Sequence, residues 1–211
     1  MMSQLETTIS TPPAESGPAW DIARMFPNQG HWTETDYFQV SDRNWLVELA
    51  QGRVEVLPMP NYVHQLIVLF LMDQIRAHLA GPARLGFAIM SPMPMRLGPD
   101  HFREPDLLVM LQAHRDRMLP THWEGADLVM EVVSDSNRAH DLVVKRGEYA
   151  TAGIPEYWIV DPQNETITVL TLDGERLTYT EHGVYGRGER AASRLLEGFG
   201  VDVSAVLDVR P

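Results

Sequence analysis

Cysteine is absent from the 211 residues. That removes disulfide frameworks, thiolate zinc sites and cysteine nucleophiles from consideration. Lysine is nearly absent: of 17 basic residues Lys145 is the sole lysine, and the others are arginine. Long apolar runs are missing too. The longest, Leu66 to Met72, stops at Asp73, well short of the roughly 20 residues that a membrane-spanning helix needs. No basic-then-apolar leader opens the chain, so the expectation is a soluble, cytoplasmic protein with no membrane partner. Positive charge is scarce overall. The balance is 17 − 29 = −12, which speaks against broad electrostatic attraction to nucleic acid.

What is present is an ordinary globular composition, 44% hydrophobic and 22% charged, enough for one sizeable core and short for two. Met1 to Pro18 is rich in Ser, Thr, Pro and Glu and cannot offset its own ordering entropy. Residues 1–30 are therefore expected as a flexible N-terminal tail, with Trp20, Met25 and Phe26 available to dock. Residues 31–211 are expected as a single domain.

Trp45 to Leu57 reads as a β-hairpin about Gln51-Gly52, with Val54 and Val56 alternating with Arg53 and Glu55. Tyr62 to Ala80 reads as a helix, apolar on every face at its centre and ended by Gly81-Pro82. Short strands are expected at Leu85–Met90 and Met93–Leu97, with a turn at Gly98-Pro99-Asp100. Pro105–Leu111 and Asp127–Val133 are nearly continuous apolar runs, the pattern of central strands covered on both faces. Ser134-Asp135-Ser136 offers N-cap oxygens for a helix from Arg138 to Ala152. Pro155–Val160 reads as a strand. Thr166–Leu172 and Arg176–Thr180 read as a hairpin, Gly183–Gly188 as a loop and Val201–Leu207 as a short helix. This order describes an α/β domain with a mixed sheet flanked by helices.

Two carboxylates sit where carboxylates are costly. Asp106 heads one apolar strand and Glu131 lies inside another. Burying either alone costs several kcal/mol unless it is neutralised, paired or bound to a metal. On neighbouring strands both can point to one spot, and a divalent cation relieves their repulsion. An oxygen-only ligand set suits Mg²⁺ or Mn²⁺ better than zinc. The chain uses arginine for every other cation, so its lone lysine points to a need for a compact ammonium. Asp141, Lys145 and Glu148 share a helix face at i, i+4, i+7 spacing. No His-x-x-x-His pair occurs among the eight histidines.

Pro105-Asp106, then Glu131-Val132-Val133-Ser134, then Asp141 to Tyr149, then Gly153 to Pro162 resemble the Uma-two family of restriction endonucleases, within the PD-(D/E)XK nuclease superfamily. The likeness runs from about Trp32 to Leu207. It implies a restriction-endonuclease-like fold and metal-dependent hydrolysis of phosphodiester bonds in DNA by a Mg²⁺- or Mn²⁺-dependent endonuclease. It implies Asp106 and Glu131 as metal ligands, Lys145 as the catalytic lysine and Glu48 as an extra acidic ligand. Asp141 and His64 would support the site. The superfamily's usual lysine, two residues after the glutamate, is replaced here by Val133, and the resemblance implies its transfer to Lys145.

Plainer readings stand beside these. Pro-Asp at a strand start often caps a turn. Glu131 also fits a buried salt bridge with Lys145 or an arginine. Asp141 with Lys145 also fits an exposed helix ion pair worth about 0.3–0.5 kcal/mol. The Tyr157-Trp158 pair fits the core better than a base-stacking platform. Two functions remain open: a metal-dependent nuclease, with Arg103, Arg138 and Arg146 supplying local positive charge, or a non-catalytic dimeric binding module on the same fold. The apolar helix suggests a homodimer, and fits equally the central buried helix of one domain.

Overall fold

A computed structural model describes residues 26, 28–41, 46–81, 84–134, 138 and 140–210; the side chain of Asp141 lies outside the described residues. The elements run α1 (Glu34–Ser41), β1 (Val47–Ala50), β2 (Arg53–Val56), α2 (Tyr62–Leu79), β3 (Gly86–Met90), β4 (Met95–Gly98), β5 (His101–Arg103), β6 (Leu107–Leu111), β7 (Trp123–Glu124), β8 (Leu128–Val132), α3 (Arg146–Thr151), β9 (Glu156–Asp161), β10 (Thr166–Asp173), β11 (Thr178–Tyr185), β12 (Arg190–Ala192), β13 (Gly200–Asp202) and α4 (Val203–Leu207). A 3-10 turn spans Gln112–Arg117, and a π-helical segment, His140–Lys145, leads into α3.

Six strands form the main sheet, in the order β11-β10-β9-β8-β6-β3. It is antiparallel except for the parallel β8/β9 pair. Strand side chains alternate between faces, so a strand buried on both sides reads as one apolar run. Leu107, Val109, Leu128, Met130 and Val132 pack with α2 and α4 on one face. Leu108, Met110, Val129 and Val133 pack with Tyr149 and Ala150 of α3 on the other. Glu131 shares the α3 face with Val129 and Val133 by the same period. The β6/β8 register pairs Leu107 with Met130, and continuing it by one residue sets Asp106 opposite Glu131.

A second sheet runs β2-β1-β5-β4-β7. Its β1/β2 hairpin turns at Gln51 and Gly52, with φ of 50° and 77°, the paired positive φ values of a type I′ turn. That turn sets Glu48 directly opposite Glu55, and both are buried. Like charges so placed repel. Arg103 answers them from β5, where the Leu49–Phe102 pairing brings it beside Glu48. Its guanidinium is 1% exposed. Nη1 donates to Glu48 Oε2 at 2.8 Å and also to Glu55. Nε and Nη2 donate to the two oxygens of Glu148 at 2.6 and 2.7 Å. One side chain thus ties the hairpin, β5 and α3 together.

Several expectations shift. Glu55, placed with the alternating polar residues, is buried because it shares the face of Glu48. Helix α2 begins at the Asn61 N-cap, whose side chain accepts from His64 N at 2.9 Å. It buries Ile67, Val68, Leu71, Met72, Ile75 and Leu79, while Leu69 on the opposite side stays 48% exposed, so its apolar centre is covered on one side. The 138–152 helix opens with the wider π turn, which replaces the regular i, i+4, i+7 face. Strand β11 reaches Tyr185, so Gly183 belongs to a strand rather than a loop. Strand β13 precedes the last helix, which Asp202 caps by accepting from Ala205 N at 2.8 Å. Residues 1–25 and 27 of the expected tail lie outside the described residues, as do Asp135 and Ser136 of the expected cap. The tail's last residues are anchored: Gly30 N donates to Gly52 O at 2.8 Å, and the Gln29 amide bonds both backbone groups of Val54.

Two predictions follow from the arginine cluster. Replacing Arg103 with Leu strands two buried carboxylates and a half-buried third, and is expected to cost about 3–5 kcal/mol in urea unfolding. Burial raises the carboxyl pKa of Glu48 and Glu148, but opposing contacts win: the charges of Lys145 and Arg103 for Glu48, and the nearness of His101 with the bonds of Arg103 for Glu148. Both fall from 4.5 to about 2. Their stabilisation is complete above 4.5 and lost as pH falls toward 2. Burial carries Glu55 the other way, from 4.5 to about 7 against the pull of Arg103, so it subtracts stability as pH rises through that window. Urea midpoints measured across this pH range are expected to show a shallower acid decline in Glu148→Gln and a flatter neutral limb in Glu55→Gln.

Candidate active site

The edge where β6 and β8 meet opens into a cavity of about 460 Å³. Asp106, Glu131, Lys145, His64 and Glu104 line it, facing an apolar wall that includes Leu57, Pro58 and Val63. Asp106 Oδ2 accepts from Val132 N at 2.7 Å and bonds His64 Nε2 at 3.1 Å. The strand backbone thereby holds Asp106 against the chain segment that carries Glu131. Burial disfavours a charged His64, yet its bond to Asp106 and the nearby charges of Asp106 and Glu131 prevail and raise its pKa.

Glu131 is 4% exposed. Its Oε1 accepts from Tyr149 Oη at 2.6 Å and from Lys145 Nζ at 2.9 Å. Lys145 also lies 3.4 Å from Glu48 Oε1. The π-helical segment aims this side chain into the interior, where it is 4% exposed. Lys145 is thus a buried cation and not one on the exposed surface of the helix. The structure brings together Asp106, Glu131, Lys145 and His64. Glu48 stands behind them, 0% exposed. Its Oε1 accepts from Glu104 N at 2.9 Å and its Oε2 from Arg103. The side chain of Asp141 lies outside the described residues.

Glu104 was not singled out in the sequence. Its Oε1 accepts from Tyr37 Oη at 3.1 Å, and its buried Oε2 has no hydrogen-bond partner among the described residues. Burial and the charge of Glu48 carry its pKa from 4.5 to about 7. Its adjacency to Pro105-Asp106 was the available signal. Tyr149 lay inside the quoted motif without a role; its hydroxyl fixes Glu131. Glu55 was legible through the hairpin register once Glu48 was placed.

Arg103, expected to supply positive charge to nucleic acid, is enclosed by three carboxylates and faces no solvent. Arg138 grips both oxygens of Asp161, and Arg146 reaches Tyr179 O at 3.4 Å. The Tyr157-Trp158 pair lies in the core, both rings at 0% exposure. Glu48, Glu55 and His140 bring ligand atoms within 4.8 Å of one another, but the Arg103 guanidinium is already bonded to both carboxylates there. The cavity instead offers the carboxylates of Asp106 and Glu131 from two facing strand ends, hard oxygen donors of the kind that suits a divalent cation.

No helix among the described residues is long and apolar enough to cross a membrane. No curated protein matches the chain. Among solved structures it is similar to the "putative nuclease belonging to DUF820 from Anabaena variabilis ATCC 29413", at 16% identity and a TM-score of 0.65, covering 83% of this chain and 97% of that one. At that identity the likeness speaks for the fold, a restriction-endonuclease-like α/β arrangement. A family match spans residues 34–204, including the whole cavity edge from Asp106 through Lys145, and by it the chain belongs to the Uma2 family, described as "Putative restriction endonuclease".

Proposed function

We propose that this nuclease-family chain hydrolyses phosphodiester bonds of DNA, with Mg²⁺ or Mn²⁺ held by Asp106 and Glu131. The observation that carries this reading is the meeting of two strand-end carboxylates in one cavity, with the lone lysine 2.9 Å from one of them. A divalent cation there supplies Lewis-acid stabilisation of a phosphoryl oxygen and acidifies water. The protein's own groups supply the rest. Asp106 is held by Val132 N and His64, and Glu131 by Tyr149. Lys145 stands between Glu131 and Glu48, and in this reading its ammonium stabilises the charge that develops on the attacked phosphate. Glu48 acts through Lys145, and His64 through Asp106, as positioning residues. Asp141 enters the reading only through the family resemblance, as a supporting residue.

The reading includes residues 31–211 as one catalytic domain with a preceding tail, in a cytoplasmic setting. It also includes a homodimer. Leu69 on the outer side of α2 and Phe87 on β3, the last strand of the main sheet, are 48% and 39% exposed. An unpaired edge strand beside an apolar helix face is a surface that a second copy can cover. The net charge of −12 and the enclosure of Arg103 favour a second reading, a binding module that retains the fold without catalysis.

Purified protein is expected to nick plasmid DNA with Mg²⁺ or Mn²⁺ and not with EDTA. Asp106→Asn and Lys145→Met are expected to lose at least a hundredfold in rate while keeping the wild-type circular dichroism spectrum. Tyr149→Phe leaves Glu131 less firmly held and is expected to lose less. Isothermal titration without heat on Mn²⁺ addition selects the binding module. Light scattering at micromolar concentration is expected to give the mass of two chains, and Leu69→Glu to give one.

A further inference from the structure

Leu57-Pro58-Met59-Pro60 follows β2, leads toward α2 and forms part of the cavity wall. A residue before proline is pushed toward extended backbone, so the two prolines keep this stretch open and its side chains spread along the wall. Met59 lines the cavity and is nevertheless 85% exposed. Tyr62, the first residue of α2, is 65% exposed. Gln65, its neighbour one turn along the helix, lines the same cavity. Neither Met59 nor Tyr62 packs into a hydrophobic core. A thioether and an aromatic ring thus stand in water beside the candidate active site.

The chemical groups across the cavity are recessed. Glu131 and Lys145 are each 4% exposed. Among the described residues that line the cavity, Lys145 is the sole permanent cation, and no arginine is among them. Duplex DNA is gripped through basic side chains on its phosphates, and the cavity offers no such rim. An unpaired strand makes other demands. Its backbone can bend into a recess, and each base has a free face that stacks on an aromatic side chain whatever the sequence. The volume of about 460 Å³ is that of a small-ligand site, on the scale of one nucleotide.

We infer that the site takes single-stranded DNA, the phosphodiester entering the recess that Asp106, Glu131 and Lys145 line while a flanking base lies against Met59 and Tyr62. This names the substrate class for the phosphodiester reading of the cavity and rests on that reading. Polarisable sulfur and an aromatic ring both attract a base face. Their contact needs no positive surface, which suits a chain of net charge −12. Duplex DNA must first unpair and unstack at the same point, at a cost in free energy. Negative supercoiling favours such opening, so supercoiled plasmid is a substrate where linear duplex is a poor one.

A fluorescein-labelled oligonucleotide, free or annealed to its complement, tests the assignment in the presence of Mn²⁺. The free strand is expected to be cut with a kcat/KM at least tenfold above that of the annealed one. Tyr62→Ala and Met59→Ser are each expected to raise KM for the free strand at least fivefold with kcat within twofold, and Tyr62→Phe to keep the wild-type KM. Equal cutting of free and annealed strands overturns the inference and leaves the nuclease reading intact. So does an unchanged KM in both variants; if light scattering then shows their mass falling from two chains to one, the patch belongs to self-association. Failure of the wild type to cut either substrate overturns both readings.

Discussion

A surplus of buried carboxylates governs this molecule. Glu48, Glu55, Glu104 and Glu131 are all nearly inaccessible to water, and Asp106 and Glu148 adjoin them. Among the described residues the permanent cations within reach are Arg103 and Lys145. Arg103 spends its whole donor fork on Glu48, Glu55 and Glu148, which is what a planar guanidinium does well. Lys145 spans Glu131 and Glu48. Glu104 and Asp106 have neither; Glu104 accepts from Tyr37, and Asp106 accepts from Val132 N and bonds His64. The acidic cluster is thus divided into a half compensated by permanent cations, which joins the two sheets to α3, and a half without them at the cavity.

The main sheet was legible because its signal is local. Continuous runs such as Leu107–Leu111 and Leu128–Val132 admit few other readings, and Gln51-Gly52 announces a tight hairpin. Boundaries that depend on hydrogen-bond geometry were less so. The π turn at His140–Lys145 carries no composition mark, because nothing in His-Asp-Leu-Val-Val-Lys distinguishes a wide turn from a regular one. Likewise Leu69 and Phe70 look alike in sequence to Ile67 and Val68; which side of α2 meets the sheet is settled by tertiary packing.

At the site, Asp106, Glu131 and Lys145 stood out against their local sequence: a carboxylate at the head of or inside a nearly continuous apolar run, and a lone lysine in a chain that otherwise uses arginine. Glu104 and Arg103 violate nothing locally. They flank a Pro-Asp pair in an unremarkable polar stretch, and their roles come from a register across three strands that pairs Arg103 with Glu48 and Glu48 with Glu55. Residues that matter through cross-strand neighbours become visible only when the strand order is known. The arginine expected to greet a polyanion proved to be the most enclosed cation in the molecule for the same reason.

That outcome bears on how an acidic protein could act on nucleic acid. With a net charge of −12 and Arg103 turned inward, the surface offers little counterion release, the usual source of affinity for duplexes. Under the proposed reading, attraction would have to be generated at the cavity, where a bound divalent cation would offset the carboxylates and the ammonium of Lys145 would add its charge. The transfer of lysine to position 145 that the family resemblance implies would fit this design. Position 133 on the strand is given to valine, which packs with Tyr149 on the α3 face. Tyr149 in turn fixes Glu131, and the π turn brings Lys145 to the same oxygen. The helix thus delivers both the hydroxyl that holds the carboxylate and the ammonium that would meet the phosphate, so the geometry between them is set by one short segment rather than by two.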